Sequence, residues 1–250
     1  MTRLRIALAK GRLYQPSLDR FRQAGAELRG DPGRRLLLTS SDPGIEFLVV
    51  KPADVPVYVE SGAADLGVTG TDVLRETGAD VLEPLELGYG FCRLVVATPA
   101  DAPYPALPGG VTARVATKYP RLAREHFNAL GRPVDIVQVD GSVEVAPLLN
   151  LSHWIVDLVD TGNTLRENGL VEQETILRVQ AVLVANRASQ KLKLEAYLDL
   201  MGDSKKREGF SPAVAWRGPP PAQSPSSYST HRPAPSPRCR TRYHGRAKFG

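Results

Sequence analysis

The segment Asp157-Leu158-Val159-Asp160-Thr161-Gly162-Asn163-Thr164-Leu165 carries the clearest chemical signal in the chain. An apolar strand runs into a Thr-Gly turn, and a helix starts behind it. Gly162 lets the backbone come close to a ligand. The N–H groups of Gly162, Asn163 and Thr164 would open the helix, where free donors and the dipole favour an anion. Thr161 and Thr164 add hydroxyl donors. Such a cradle suits a phosphate monoester. Asp157 and Asp160 flank it, and a carboxylate there can accept from ribose hydroxyls or reach a magnesium ion. The loop is not of the GxxxxGK[ST] type. A capped helix beside an acidic strand end would give the same letters without any ligand.

Two further turns have the right residue types. Lys10-Gly11-Arg12 follows the first apolar run. At the carboxyl end of a strand in an α/β sheet, residues face the ligand crevice. Two cations around a glycine suit a polyphosphate; the plain alternative is an exposed basic turn. Gly141-Ser142-Val143-Glu144 opens another helix. Ser142 either caps it or the helix start adds donors for a second anion. Cys92 reads as a core residue, and His126 as a structural or exposed one.

Positioning these turns requires alternating strands and helices. Strand runs are expected at Arg5–Ala9, Leu36–Leu38, Phe47–Val50, Ala64–Val68, Arg93–Ala97, Arg114–Thr117, Val134–Val139, Trp154–Val159 and Val179–Ala185. Between them, helical spacing is expected over Leu13–Leu28, Ala53–Ser61, from Thr71 as a cap, Pro120–Leu130, Glu144–Leu149, Asn163–Asn168 and Ala188–Met201. Alternation argues for α/β architecture with largely parallel sheets. The proline-rich stretch Thr98–Gly110 reads as a crossover between two lobes. The expected domains are a first lobe over 1–98, a second over 99–178 that holds the phosphate loop, a return to the first over 179–203, and a tail over 204–250. A ligand is expected between the lobes.

Composition separates the tail from the body. The net charge is +5, but ten of the 32 Lys and Arg and only one of the 27 Asp and Glu lie in 204–250. The tail therefore carries +9 and the body −4. Eight of the 21 prolines are also there. A segment this polar and proline-rich is expected to be disordered. Two cysteines make no disulfide scaffold and no zinc site, which fits a reducing, cytoplasmic setting. No run of 18 apolar residues exists to cross a membrane, and the apolar patch after Met1–Arg5 is too short for a signal peptide.

The chain resembles the short-form ATP phosphoribosyltransferases. The matching blocks are Ala7-Leu8-Ala9-Lys10-Gly11-Arg12-Leu13, Asp54-Val55-Pro56 with Gly62-Ala63-Ala64-Asp65-Leu66-Gly67, and Gly88-Tyr89-Gly90-Phe91-Cys92-Arg93-Leu94. Ala116-Thr117-Lys118-Tyr119-Pro120, Gly141-Ser142-Val143-Glu144-Val145-Ala146-Pro147 and Asp157 to Leu170 follow in family order. Where the family has a Gly-Leu-Ala-Asp-like stretch, this chain has Asn150-Leu151-Ser152-His153.

The resemblance implies a two-lobed, periplasmic-binding-protein-like (type II) core. ATP and phosphoribosyl pyrophosphate would meet between the lobes with Mg²⁺. Asp160, Thr161, Gly162, Asn163, Thr164 and Leu165 would hold the 5-phosphate. Lys10, Gly11 and Arg12 would face the polyphosphates, with Asp65 and Gly67 shaping the nucleotide side. N1 of adenine would attack the anomeric carbon while pyrophosphate leaves. Asp157, Asp160 or Glu144 would offset the oxocarbenium charge, and Asp157 or Asp160 could reach the metal. Short forms imply a separate regulatory subunit similar to histidyl-tRNA synthetase.

Two other classes compete: a two-lobed solute-binding module without turnover, and a nucleic-acid binder driven by the basic tail. The acidic body speaks against the second. Ending the chain after Gly202 is expected to leave the melting temperature and substrate binding unchanged. A large fall in melting temperature would show that the tail packs against the body.

Overall fold

The computed structural model describes residues 3–30, 35–196 and 200. The tail 204–250 lies outside the described residues, as do the last residues of the expected return segment. The elements run β1 (Leu4–Ala9), α1 (Tyr14–Gln23), β2 (Leu37–Thr39), β3 (Ile45–Val50), α2 (Val55–Glu60), β4 (Leu66–Gly70), α3 (Thr71–Thr77) and β5 (Leu82–Glu86). They continue with β6 (Cys92–Pro99), β7 (Ala113–Thr117), α4 (Pro120–Ala129), β8 (Val134–Gln138), α5 (Val145–Leu148), β9 (Trp154–Val159), α6 (Asn163–Glu167), β10 (Leu170–Val179), β11 (Ala181–Ala185) and α7 (Arg187–Leu192).

Two sheets result. One has six strands in the order β2-β3-β1-β4-β11-β5, and the other five in the order β10-β6-β9-β7-β8. β1 lies parallel between β3 and β4, and its apolar run is buried on both faces, as a central parallel strand requires. β11, wholly apolar, is likewise buried along its length. Each sheet has its own apolar core. In the second, Trp154 stacks on Phe127 with ring centroids 5.9 Å apart.

The sheets divide elsewhere than the prolines suggest. β6 belongs to the second sheet, paired antiparallel with both β9 and β10. The first crossover is therefore 87–91, not 98–110, and the second is the single residue Gln180 between β10 and β11. The prolines of 103–108 lie in a loop inside the second lobe. The sheets are also mixed rather than largely parallel: β2, β5, β6, β10 and β11 all run against a neighbour.

Two strands have no clear sequence signal. β5 mixes exposed and half-buried residues, β10 is buried only at its two ends and carries charges such as Glu172 and Arg178, and both lie at sheet edges. The expected helix over 13–28 stops at Gln23, because Gly25 turns the chain at φ +92° and Leu28 bridges Ser40. Gly70, not Thr71, caps α3, and α7 starts one residue early, with the Asn186 side chain accepting from the N–H groups of Ala188 and Ser189.

Gly67 lets β4 pack closely against α2. A Cβ there would lie 2.7 Å from both Val55 Cγ1 and Val59 Cγ2, on the helix covering the sheet. Gly67→Ala is expected to destabilise the fold by about 1–3 kcal/mol through overpacking. Urea unfolding checks this, and an unchanged midpoint would refute it.

Candidate functional site

The strand ends that matter all converge. β4 ends at Gly70, opposite Ala181 at the start of β11. Val179, two residues earlier, pairs with Cys92 at the start of β6, and Arg93 pairs with Val159 at the end of β9. The two crossovers thus lie between the carboxyl ends of the parallel strands of both lobes. Ligand-binding loops of open α/β sheets occupy such ends.

In the second lobe, β9 delivers the loop 160–165. Gly162 takes φ +77°, a left-handed conformation that strains any residue with a side chain. Its position is also closed by Arg166 Nη1 and Glu172 Oε1, each 3.2–3.3 Å from where a Cβ would be. Leu165 is buried in the core and pins the turn, while Asp160, Thr161, Asn163 and Thr164 are exposed. α6 has only five residues, so the donors are single first-turn N–H groups and the threonine hydroxyls, not a macrodipole.

Asp157 lies on the β9 face shared with Ile155 and Val159, against α5 and α6. It is half-buried. Burial pushes its carboxyl up, and nearby Glu144 pushes further; the Leu158 N–H at 2.8 Å and Lys118 oppose the rise. Asp160 instead acts on Arg12 and Cys92. The three expected carboxylates are therefore near one loop but face different neighbours. Asp157 and Glu144 form the more buried pair, and the exposed Asp160 lies near enough to Arg12 of the first lobe and Cys92 of the second to act on both.

In the first lobe, Lys10, Gly11 and Arg12 leave β1 exposed. Gly11 turns at φ +92°. Lys51 leaves β3 beside Lys10, since Ala9 and Val50 are in register and the Lys10 N–H donates to the Val50 carbonyl at 2.8 Å. The two lysines thus leave neighbouring strands at the same end, an arrangement that suits a polyphosphate. The Arg12 guanidinium donates to Cys92 Sγ at 2.8 Å and to the Gly90 carbonyl at 3.3 Å, so it bridges β1 to the crossover. Burial works against its charge, but Cys92, Asp72 and Asp160 hold it above its ordinary value. Burial pushes the Cys92 thiol up, so it stays protonated and inert.

The structure does not bring Asp65 and Gly67 to this end. Asp65 is aligned with Arg5, five residues or roughly 16 Å along β1 from Lys10. Its buried carboxylate accepts from the Arg5 N–H and from Lys193 Nζ, both at 2.8 Å. Gly67 sits mid-strand against α2. Both have structural employment. His126 pairs with Glu174 at 3.0 Å, and His153, at the opposite end of β9 from the 160–165 loop, accepts at Nδ1 from the Arg114 N–H.

Sequence reasoning missed Lys51, Lys118, Asp72 and Tyr119 at the convergence. Lys51 follows an apolar run directly, the same signal that marked Lys10, and Lys118 follows one with only Thr117 between. Asp72 and Tyr119, both buried, join across the lobes: the Tyr119 hydroxyl donates to Asp72 Oδ2 at 2.8 Å. A small apolar pocket lies elsewhere, under α1, lined by Phe21, Val68 and Leu183 among others; its lining is almost wholly apolar and suits no phosphate.

Two lobes joined twice, with a glycine loop and carboxylates facing a set of cations, define a two-lobed α/β protein that handles phosphorylated ligands. The family model for HisG, ATP phosphoribosyltransferase, matches residues 51–204. An ATP phosphoribosyltransferase of Sorangium cellulosum is 48% identical over 200 residues, 79% of this chain and 92% of that protein. The chain belongs to the ATP phosphoribosyltransferase family. The solved ATP phosphoribosyl transferase (HisG:HisZ) complex from Thermotoga maritima aligns with a TM-score of 0.72 at 31% identity, over 81% of this chain and 97% of that one. The periplasmic aliphatic sulphonate binding protein SsuA from Escherichia coli aligns with a TM-score of 0.51 at 14% identity, over 83% and 72%, a likeness of fold alone.

The raised carboxyl of Asp157 has a pH signature. The folded chain keeps a proton there that the unfolded chain has released, so stability falls as pH climbs from the ordinary value of 3.8 through the raised one. Asp157→Asn removes that fall. The melting temperature of the ligand-free variant, relative to the parent, is expected to rise between about pH 3.5 and pH 7. Parallel curves for the two proteins would show that Asp157 is not desolvated.

Proposed function

We propose that this chain transfers the 5-phosphoribosyl group of phosphoribosyl pyrophosphate to N1 of ATP, the first step of histidine biosynthesis. The carrying observation is the meeting of the 160–165 loop with Arg12 and the carboxylates at the junction of two lobes, in a chain of this family. The N–H groups and hydroxyls of Thr161, Gly162, Asn163 and Thr164 hold the 5-phosphate, with Asp160 at the ribose. Lys10, Arg12 and Lys51 hold polyphosphate from the first lobe, and Gly11 lets it approach. Lys118 lies on the second-lobe side, near enough to Asp157 to act on its carboxyl.

The reaction breaks the bond between the anomeric carbon and the pyrophosphate oxygen and forms a bond from that carbon to N1. Positive charge builds on the ribosyl ring, and Asp157 with Glu144 supplies the opposite charge. Negative charge builds on pyrophosphate, and the lysines and Arg12 take it up. No covalent nucleophile is needed, in agreement with the protonated Cys92. Holding two anionic substrates in register supplies a large part of the acceleration.

Among the described residues, no group of three or more His, Cys, Asp and Glu could form a metal cage. The donors at the loop are carboxylate oxygens, chiefly Asp157 and Asp160. That set fits Mg²⁺, which binds through one or two carboxylates and substrate phosphates and keeps several waters. Bound so, Mg²⁺ would neutralise charge on the departing pyrophosphate.

The HisG:HisZ neighbour supports a hetero-oligomer with a regulatory subunit similar to histidyl-tRNA synthetase. The cytoplasm is the proposed compartment; no helix among the described residues is long and apolar enough to cross a membrane.

Pyrophosphate release from ATP plus phosphoribosyl pyrophosphate, with Mg²⁺ and with or without the regulatory subunit, tests the reading. Release should require both substrates and leave an N1-ribosylated ATP. Thr164→Ala should raise KM for phosphoribosyl pyrophosphate about 10–100-fold, the size of a hydrogen bond to a charged group. KM for ATP and the melting temperature should barely move. Kinetics indistinguishable from the parent would remove the loop from the phosphate site.

A further inference from the structure

Besides the two crossovers, one short helix of the first lobe grips the second. α3 begins where the second crossover passes: the Thr71 N–H donates to the Gln180 carbonyl at 3.0 Å, and the Gln180 N–H donates to Thr71 Oγ1 at 3.2 Å. One residue on, Asp72 receives the Tyr119 hydroxyl. One turn further, the Glu76 carboxylate accepts from the backbone N–H of Arg121 at 2.9 Å and of Leu122 at 3.0 Å. These N–H groups belong to the first turn of α4, whose own cap position, Tyr119, supplies no side-chain acceptor. A carboxylate from the first lobe thus caps a ten-residue helix of the second. Asp72 and Glu76 are four apart, so they share one face of α3.

The grip lies next to the reactive loops. Thr117 Oγ1 donates to the Val156 carbonyl of β9 at 2.7 Å and accepts from the Tyr119 N–H at 2.9 Å. Tyr119 is thereby tied to β9, the strand that carries Asp157 and the 160–165 loop. Exposed Lys118 stands between two buried anchors, Thr117 and Tyr119. On the other side, Asp72 acts on Arg12. Burial and the Asp72 carboxylate push the Tyr119 hydroxyl well above its ordinary value, so it remains a donor at any working pH.

We infer that Asp72 and Glu76 of α3 are positioning residues that, through Tyr119 and the start of α4, hold the two lobes at the separation where phosphoribosyl transfer occurs. The inference rests on the transferase reading above, in which each lobe binds one polyanionic part of the reacting pair. Neither carboxylate touches substrate. Their role is to raise the population of the closed arrangement, in which Arg12 and Lys10 face the 160–165 loop. Loss of the clasp should leave each substrate's first encounter intact and lower the closed fraction of the ternary complex.

The test uses the full chain, with its regulatory subunit if activity requires it. Tyr119→Phe keeps the buried ring and removes only the donor. Glu76→Ala removes the cap on α4 and leaves the core alone. In the double variant, kcat should fall about tenfold or more, the size of two such bonds. The dissociation constant for ATP alone should stay within about twofold, and the protein should remain folded. Amide hydrogen exchange at Arg121 and Leu122 should accelerate in Glu76→Ala without substrates. A folded double variant with parental kcat would overturn the inference. So would a rise in the ATP dissociation constant equal to the loss of kcat, or unchanged exchange at residues 121 and 122. If the parent itself forms no N1-ribosylated ATP, the transferase reading fails instead, and the two failures are distinct.

Discussion

The site depends on how the chain passes between its two sheets. β6 and β10 run antiparallel to their neighbours, so the chain enters and leaves the second lobe beside the carboxyl ends of β4 and β9. Had either crossover joined the opposite ends, Lys10 and Arg12 would lie a strand's length from Asp160. Gln180 leaves little slack: a single residue separates a strand of one sheet from a strand of the other. The lobes are therefore tethered close together at the end where the loops lie.

That constraint explains the distribution of charge. Cations gather where β1, β3 and β7 end, as Lys10, Arg12, Lys51 and Lys118. Carboxylates gather around β9, as Asp157, Asp160 and Glu144. Elsewhere charges are mostly matched within a lobe, as in Arg5 with Glu46, Arg132 with Glu174, and Lys193 with Asp65. A reaction that separates a cationic ring from an anionic leaving group needs both signs held apart in a fixed frame. Two lobes provide that frame: Lys10, Arg12 and Lys51 stand on the first, and the second carries Asp157, Asp160 and Glu144 with Lys118 among them. The half-buried Asp157 sits within this arrangement, with Lys118 the cation that acts on it.

Much of this was legible along the chain. Central strands such as β1, β9 and β11 are continuous apolar runs because they are buried on both faces, and that signal survives in one dimension. The turn at Gly162 was legible too, because a left-handed residue between a strand and a helix calls for glycine. Edge strands β5 and β10 were not, since only one face is buried and their register slips. The prolines at 103–108 suggested a lobe boundary, but proline marks a break in regular structure and says nothing about which sheet follows. Asp65 and Gly67 carried family-like letters, yet their position along β4 decides that they pair and pack at a distance from the strand ends.

The sequence by itself determined the strand–helix alternation, the phosphate-type loop and the basic turn after the first strand, because these depend on residue types at local spacing. Only the tertiary structure decided which charges confront one another. Arg12 meets Cys92 and acts with Asp160 although 80 and 148 positions separate them, and Tyr119 meets Asp72 across the lobes. Contacts of that range follow from strand order and crossover direction, which are set by the packing of whole sheets and leave no periodic mark on the residues they bring together.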